Sequence, residues 1–367
     1  MNVPFVDLKA QQAEILDEVT PDILSTLAEA GFIGGPAVAD FERDYARHIG
    51  TQYCVGVGNG TDALELALRA VEVEPGGEVI LPANTFIATA EAVSRLGAVP
   101  VFVDVDPEHL LIDPDAVAAA LTRRTQAIVP VHLFGQVAPM AALNELVRTS
   151  GIPIVEDSAQ AQGASCALGM AGALGTVAST SFYPGKNLGA AGDAGAVTTD
   201  DPDIARTVRV LAAHGSEQRY VHERVGFNSR LDTIQAIVLR AKLGRLSGWN
   251  ARRAEAAARY DVLLEAIPGV RRPRTADGNT DIWHLYVVRV AERDRVLAGL
   301  TAAGIGAAIH YPTPLHLTEA YQSFRIPAGT FPVAEAAARQ ILSLPMFPHL
   351  RAEQQEQVAT ALAEVLG

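Results

Sequence analysis

The sequence predicts an α/β chain in which a mostly parallel sheet with helices around it is followed by a smaller α+β unit. Two observations carry this. Short runs of β-branched and apolar residues alternate with helix-period segments through the first two thirds of the chain. From Asp232 the pattern changes to one long helical stretch through Ile234, Ile237, Leu239, Leu243 and Leu246, continuing past Trp249 towards Leu264. With 367 residues the chain can bury a sizeable core and divide into about two domains. The division is expected between a large unit, 1–245, and a small one, 246–367.

The strands are expected, in order, at 53–57, 78–81, 99–103, 127–132, 152–155, 177–183 and 195–199, where apolar runs are bounded by Gly, Pro, Asn or Asp. Between them, 62–71 and 88–96 repeat apolar residues at helical spacing. The long helix bridges into the small unit. There the pattern gives a strand at 284–290, a helix at 293–303, a strand at 307–311 and an amphipathic helix at 352–366. No internal repeat or low-complexity linker interrupts the chain.

Composition narrows the function. Apolar residues make up 49% of the chain and charged residues 19%, which is globular rather than disordered. A formal net charge of −13 argues against nucleic-acid binding, and pairs such as Arg123-Arg124 and Arg252-Arg253 sit in helix-like segments. An anionic ligand must therefore be held by a local site rather than by the overall field. Residues Asp7, Lys9, Glu14, Asp17 and Glu18 break up the N-terminal stretch, which leaves no apolar core for a signal peptide. No apolar run reaches the roughly 20 residues of a transmembrane helix. Cys54 and Cys166 are far apart and read as buried free thiols, so a reducing, cytoplasmic location is expected. The nine histidines form no His-Glu-x-x-His pattern or Cys/His cluster, so no metal site is expected. No Gly-x-Ser-x-Gly elbow is present for a serine hydrolase.

Three segments carry chemistry. The first is Val55-Gly56-Val57-Gly58-Asn59-Gly60-Thr61-Asp62, a strand, a glycine-rich turn and a helix start. Glycine lets the backbone approach an anion, and the free N–H groups of the helix start point at it. Such a turn can also be purely structural, and it lacks the third glycine spacing of a dinucleotide fingerprint. The second is Ile152-Pro153-Ile154-Val155-Glu156-Asp157-Ser158-Ala159-Gln160, which ends an apolar strand in two carboxylates. The carboxyl ends of parallel strands are where α/β sheets bind ligands, although a carboxylate there can also cap the next helix. The third is Ser179-Thr180-Ser181-Phe182-Tyr183-Pro184-Gly185-Lys186-Asn187-Leu188-Gly189, a single lysine in a glycine-rich loop just after a strand. Shielding there lowers an amine's pKa and lets it form a Schiff base. In this order the three supply a phosphate cradle, an acid for a pyridinium nitrogen and an aldehyde-binding lysine, the set that pyridoxal 5′-phosphate (PLP) needs.

On these motifs the chain resembles the fold-type I PLP enzymes that transaminate nucleotide-activated sugars, the DegT/DnrJ/EryC/StrS type. The likeness runs from Val3-Pro4-Phe5-Val6-Asp7-Leu8 to Leu342-Ser343-Leu344-Pro345. It implies that Lys186 carries the cofactor and acts as the catalytic base, that Asp157 partners the pyridine nitrogen, and that Gln160 contacts the ring hydroxyl. Phe86 would stack on the ring, and Gly60, Thr61, Asp62 and Ser181 would surround the phosphate. Asn228, in Gly226-Phe227-Asn228-Ser229-Arg230, matches an asparagine contributed by the neighbouring subunit, which implies a homodimer with shared active sites. The segment also lies far along the chain from the Gly60 turn.

Tyr183, Arg219, His310 and Tyr311 resemble positions that approach the sugar and its diphosphate. Solvated or strand-end roles remain alternatives for Arg219 and His310. Trp283-His284-Leu285-Tyr286 reads as packing of a small-unit strand. Gly192-Asp193-Ala194-Gly195 resembles the subgroup acting at C-3 of TDP-linked 3-keto-6-deoxyhexoses. The reaction implied moves an amino group from an amino acid, by family habit L-glutamate, through pyridoxamine phosphate to the keto-sugar. A C-4 or UDP-linked substrate, a PLP sugar dehydratase and a non-catalytic nucleotide-sugar-binding regulator are the alternatives. The dehydratases replace the cofactor lysine with histidine, whereas Lys186 is present here.

Overall fold

A computed structural model describes residues 2–367 of the chain. Three helices that the sequence reading left unassigned come first: α1 (Leu8–Ala13), α2 (Leu16–Glu29) and α3 (Pro36–Ile49). The large sheet then forms from β1 (Tyr53–Val57), β2 (Glu78–Pro82), β3 (Val99–Val103), β4 (Thr125–Ile128), β5 (Val155–Asp157), β6 (Val177–Ser181) and β7 (Gly195–Thr199). Helices α4 (Gly60–Ala70), α5 (Ile87–Arg95), α6 (Pro114–Ala120) and α7 (Met140–Val147) lie between the strands, and α8 (Pro202–Ala212) follows β7. Local chemistry sets several starts. Asn59 caps α4 by accepting the Asp62 N–H at 2.8 Å, and Asp113 and Asp201 cap α6 and α8, each with proline in the first turn.

β3, β2 and β4 run parallel, and so do β5 and β6. Parallel bridges Ile128↔Ile154 and Val131↔Asp157 join the two groups into one order, β3-β2-β4-β5-β6-β7-β1. β7 is antiparallel to both its neighbours, so the sheet is mixed. The strand expected at 127–132 stops at Ile128. Pro130 has no N–H for a ladder, and pairing beyond it survives only as an isolated bridge. The strand expected at 152–155 likewise moves forward to β5, past Pro153. The main core fills the space between the sheet and its helices, with Val57, Leu66, Leu68, Val79, Leu81, Val155 and Val197 among its members.

Helix α9 (Thr233–Glu265) runs 33 residues without a break, so the expected 245/246 division falls inside it. Around its last part pack β8 (Tyr286–Arg289), α10 (Arg293–Ala302), β9 (Ile341–Leu344) and α12 (Ala352–Leu366), while α11 (Pro332–Gln340) joins the main core through Ala334 and Ala337. A second core joins Ala256, Tyr260, Leu264, Val288, Leu300, Leu344 and Leu362, and Val3 from the N-terminus enters it through a bridge to Ile305. The strand expected at 307–311 does not form. Only Ala308 pairs, with Ser343, while β9, which the sequence reading left out, takes the place beside β8. Cys54 is buried as expected, whereas Cys166 is only half-buried; both are free thiols. Among the described residues no helix is long and apolar enough to cross a membrane, and no three His, Cys, Asp or Glu side chains are grouped to hold a metal ion.

Candidate active site

The loop between β6 and β7 is closed at its base, where the Phe182 N–H donates to Ala194 O and the Ala190 N–H to Phe182 O, each at 2.8 Å. Gly189 has no room for a side chain, since a Cβ there would lie 2.3 Å from Pro184 O. One face of α9 grips the loop from outside. Lys242 Nζ donates to Gly189 O at 2.8 Å, Gln235 Oε1 accepts the Ala191 N–H at 2.8 Å, and Asn250 Oδ1 accepts Asn187 Nδ2 at 2.8 Å. This holds Lys186 in a turn closed by its own N–H on Tyr183 O at 2.8 Å. Burial pushes the Lys186 amine down to about 8, against the pull of the Asp157 charge. At pH 7 about one such amine in ten is therefore neutral and able to act as a base.

Asp157 ends β5 and is 5% exposed. Thr89 Oγ1 donates to its Oδ2 at 2.8 Å and the Ala159 N–H to its Oδ1 at 3.2 Å. Burial raises its pKa, and the Thr89 and Ala159 hydrogen bonds and the Lys186 charge oppose that rise. A buried acid and a half-buried lysine thus stand within electrostatic reach of each other at the carboxyl end of the sheet.

The glycine turn faces the lysine loop. A Cβ on Gly60 would sit 2.5 Å from Ser181 Cβ, so only glycine lets α4 start this close to β6. The first-turn N–H groups of Gly60 and Thr61 have no partner within the helix, which leaves donors for an anion. Asp62 differs: Asn59 takes its N–H, and its carboxylate faces Asn59 Nδ2 at 3.0 Å and Arg95 at 3.5 Å, so it offers a phosphate no free donor.

Gln160 is buried and doubly tied, accepting the Phe134 N–H at 2.7 Å and donating to Tyr311 Oη at 3.1 Å. Phe86 lies against Tyr311 at 5.4 Å between ring centroids and is 52% exposed, so a ring face is open for stacking. His310 donates to or accepts from Ser343 Oγ at 2.9 Å and stacks on Phe5 at 5.6 Å; burial, then the Lys186 charge, brings its pKa down to about 4.

Tyr183 is exposed on the lysine loop. Arg219 and Tyr220 form a cation–π pair at 4.8 Å on an exposed arm. Asn228 is also exposed and pairs through its backbone with Ala213. Its neighbour Ser229, however, accepts the Gly58 N–H at 3.0 Å within the same chain, so distance along the sequence does not separate this segment from the turn.

The sequence reading missed two residues here. Thr89 carries no motif, and its role emerges only where α5 meets β5. His284, read as packing alone, bonds Asn187 Oδ1 at 3.1 Å and lies within the field of Lys186, while Trp283 does pack on Tyr286 at 5.6 Å. Next to Asp157, Glu156 is fully buried and accepts from the Gly172, Leu174 and Gly175 N–H groups and from His132 Nε2, which fixes the end of β5. The set fits PLP: a lysine for its aldehyde, an acid for its ring nitrogen, and a cradle at Gly60 that a Cβ would fill.

Residues 13–363 match the DegT/DnrJ/EryC1/StrS aminotransferase family. The chain is 47% identical over 362 residues to the dTDP-3-amino-3,4,6-trideoxy-α-D-glucose transaminase of Streptomyces venezuelae, covering 99% of this chain and 96% of that one. It is 44% identical over 348 residues to the UDP-2-acetamido-2-deoxy-3-oxo-D-glucuronate aminotransferase of Pseudomonas aeruginosa, covering 95% and 96%. The crystal structure of S. venezuelae DesV in complex with a ketimine intermediate superposes with a TM-score of 0.96 at 46% identity, over 99% of this chain and 98% of that one. Because this likeness runs through the sheet, the lysine loop and α9 alike, the chain belongs to the DegT/DnrJ/EryC1/StrS aminotransferase family and is a PLP-dependent aminotransferase.

Proposed function

We propose that the enzyme transfers an amino group from L-glutamate to C-3 of a TDP-linked 3-keto-6-deoxyhexose. The observation that carries the chemistry is the Lys186 amine, brought to about 8 by burial and set in the field of the buried Asp157 carboxylate. The relatives at 47% and 44% identity, both aminotransferases named for nucleotide-linked 3-amino or 3-oxo sugars, support the substrate class, and the Gly192 to Gly195 sequence supports the TDP-linked branch.

PLP, when bound, supplies an electron sink and a carbon that carries the amino group between the two substrates. Asp157 keeps the ring nitrogen protonated. Lys186 takes the proton from the α-carbon of the amino donor and, in the second half-reaction, delivers one to the sugar carbon that receives nitrogen. The N–H groups of Gly60 and Thr61, with Ser181, hold the phosphate. Phe86 covers the ring, and Gln160, braced by Phe134 and Tyr311, contacts its hydroxyl. Tyr183, Arg219, His310 and Tyr311 serve the sugar diphosphate. Two half-reactions that alternate between two forms of the enzyme imply ping-pong kinetics.

The active unit is a homodimer in which Asn228 closes the partner's phosphate pocket. Exposed Leu16, Leu24 and Leu27 on α2, with Phe32 and Ile33 just after it, support an apolar face for that contact. The two unpaired thiols support a reducing, cytoplasmic location.

Borohydride reduction of the holoenzyme followed by peptide mapping tests the site. A pyridoxyl label on Lys186 is expected, and a label on Lys9 or Lys242 overturns the assignment. Product analysis with TDP- and UDP-linked 3-keto and 4-keto sugars tests the substrate, and a preference for any member other than the TDP-linked 3-keto sugar overturns that part.

A further inference from the structure

The polar chain from Gln162 to His284 admits one arrangement of protons. Gln162 O and Ile282 O are carbonyl oxygens and can only accept. Asn250 Nδ2 donates to Gln162 O at 2.9 Å, which leaves Asn250 Oδ1 to accept from Asn187 Nδ2 at 2.8 Å. The same Asn187 Nδ2 donates to Ile282 O at 3.0 Å, so Asn187 Oδ1 must be the acceptor for His284 Nδ1 at 3.1 Å. The imidazole therefore carries its hydrogen on Nδ1 and a lone pair on Nε2. Among the described residues the ring's side-chain hydrogen bond is made by Nδ1, and the half-buried ring leaves Nε2 open to the cleft. Burial, then the positive charges of Lys186 and Arg253, hold His284 well below the usual histidine range, so the ring stays neutral.

We propose that His284 is the positioning residue for Lys186: its Nε2 accepts a hydrogen bond from the lysine amine once that amine is released from the cofactor, and so aims the amine's lone pair at the substrate carbon. No covalent bond changes at His284. A neutral amine has two N–H groups, and giving one to Nε2 fixes its direction without consuming the lone pair that takes the proton. The arrangement also explains why the four polar groups are linked. Asn187 adjoins Lys186, and Asn250 anchors it to α9, so the histidine and the lysine are referenced to the same support. The proposal rests on the assignment of Lys186 made above.

Two variants separate positioning from packing. His284→Asn keeps an amide donor where Nδ1 stood and removes Nε2, while His284→Gln places an amide oxygen near the position of Nε2. In single-turnover reaction of the holoenzyme with the amino donor, His284→Asn should slow proton transfer about ten- to a hundredfold with donor affinity unchanged, and His284→Gln should recover part of that loss. Both should unfold at the wild-type temperature. Independently of any variant's folding, ¹⁵N chemical shifts of histidine-labelled wild-type protein should show His284 protonated on Nδ1 and bare on Nε2 between pH 6 and 9. A wild-type rate in His284→Asn, equal losses in both variants accompanied by lower thermal stability, or a protonated Nε2 each overturns the proposal. A borohydride label absent from Lys186 overturns the site assignment beneath it, whereas a label on Lys186 with any of those three results overturns the role of His284 alone.

Discussion

Thr89 spends its hydroxyl proton on Asp157, so the contact between Thr89 and Thr85 Oγ1 at 3.0 Å runs with Thr85 as the donor. The two threonines form a short relay that stabilises the carboxylate against the burial that raises its pKa. In Thr89→Ala the burial effect is less opposed, the Asp157 pKa rises further, and the acid limb of the kcat profile should move to higher pH. A hydrogen bond to a charged group contributes about 1.5 kcal/mol, which corresponds to roughly one pH unit. Thr89→Ser keeps the donor and should leave the limb in place. A pH–rate series on the two variants decides it, and an unmoved limb in Thr89→Ala removes Thr89 from the charge balance of the site. Lys186 and Asp157 were legible because each lies inside a contiguous motif whose neighbours announce a strand end or a glycine loop. Thr89 was not, because it meets Asp157 across 68 residues, and a threonine in a helix carries no sign of what it faces.

At the scale of elements, the reading succeeded where local rules act alone and failed where pairing is decided at a distance. β1, β3 and β7 are bounded by turn residues and fell where expected, as did α9 behind Asp232. The 307–311 segment is apolar enough for a strand, but β9 had already taken the edge of β8. α4 owes its place to Gly60, and Gly60→Ala should push the helix start away from Ser181, costing about 1–3 kcal/mol and weakening cofactor binding by roughly tenfold or more. Titration of the apoenzyme with PLP measures it, and unchanged affinity would separate the turn from the phosphate.

Lys242 tests α9. Burial holds its amine at about 8, below its unfolded value, so the folded state binds fewer protons than the unfolded state between pH 8 and pH 10.5. Stability of the wild type should therefore rise with pH across that window relative to Lys242→Met, by about 3 kcal/mol in total. Below pH 8 the difference between the two should be constant. Chemical denaturation at intervals from pH 7 to 10.5 checks both statements, and a flat difference throughout would place Lys242 in solvent.

For the whole molecule, the proposed dimer makes Lys186 and Asn228 of one site belong to different chains. Lys186→Ala and Asn228→Asp should each be inactive alone, the second because a carboxylate is set against phosphate. Once mass spectrometry shows that subunits have exchanged, mixing should restore up to about a quarter of wild-type activity, the share of intact sites under random pairing. Confirmed hybrids without recovery would return Asn228 to its own chain, beside Ser229 and Gly58.

α9 bears on the same scale, for 33 residues at 1.5 Å each make a strut of about 50 Å. Its first part is bolted to the lysine loop through Gln235, Lys242 and Asn250, and its last part is built into the C-terminal core through Ala256, Tyr260 and Leu264. A strut fastened at both ends couples the lysine loop to the C-terminal core, so a shift of one is carried along its main-chain hydrogen bonds to the other. What the strut leaves unsecured near the lysine loop is small, the exposed Phe86 and Tyr183 side chains.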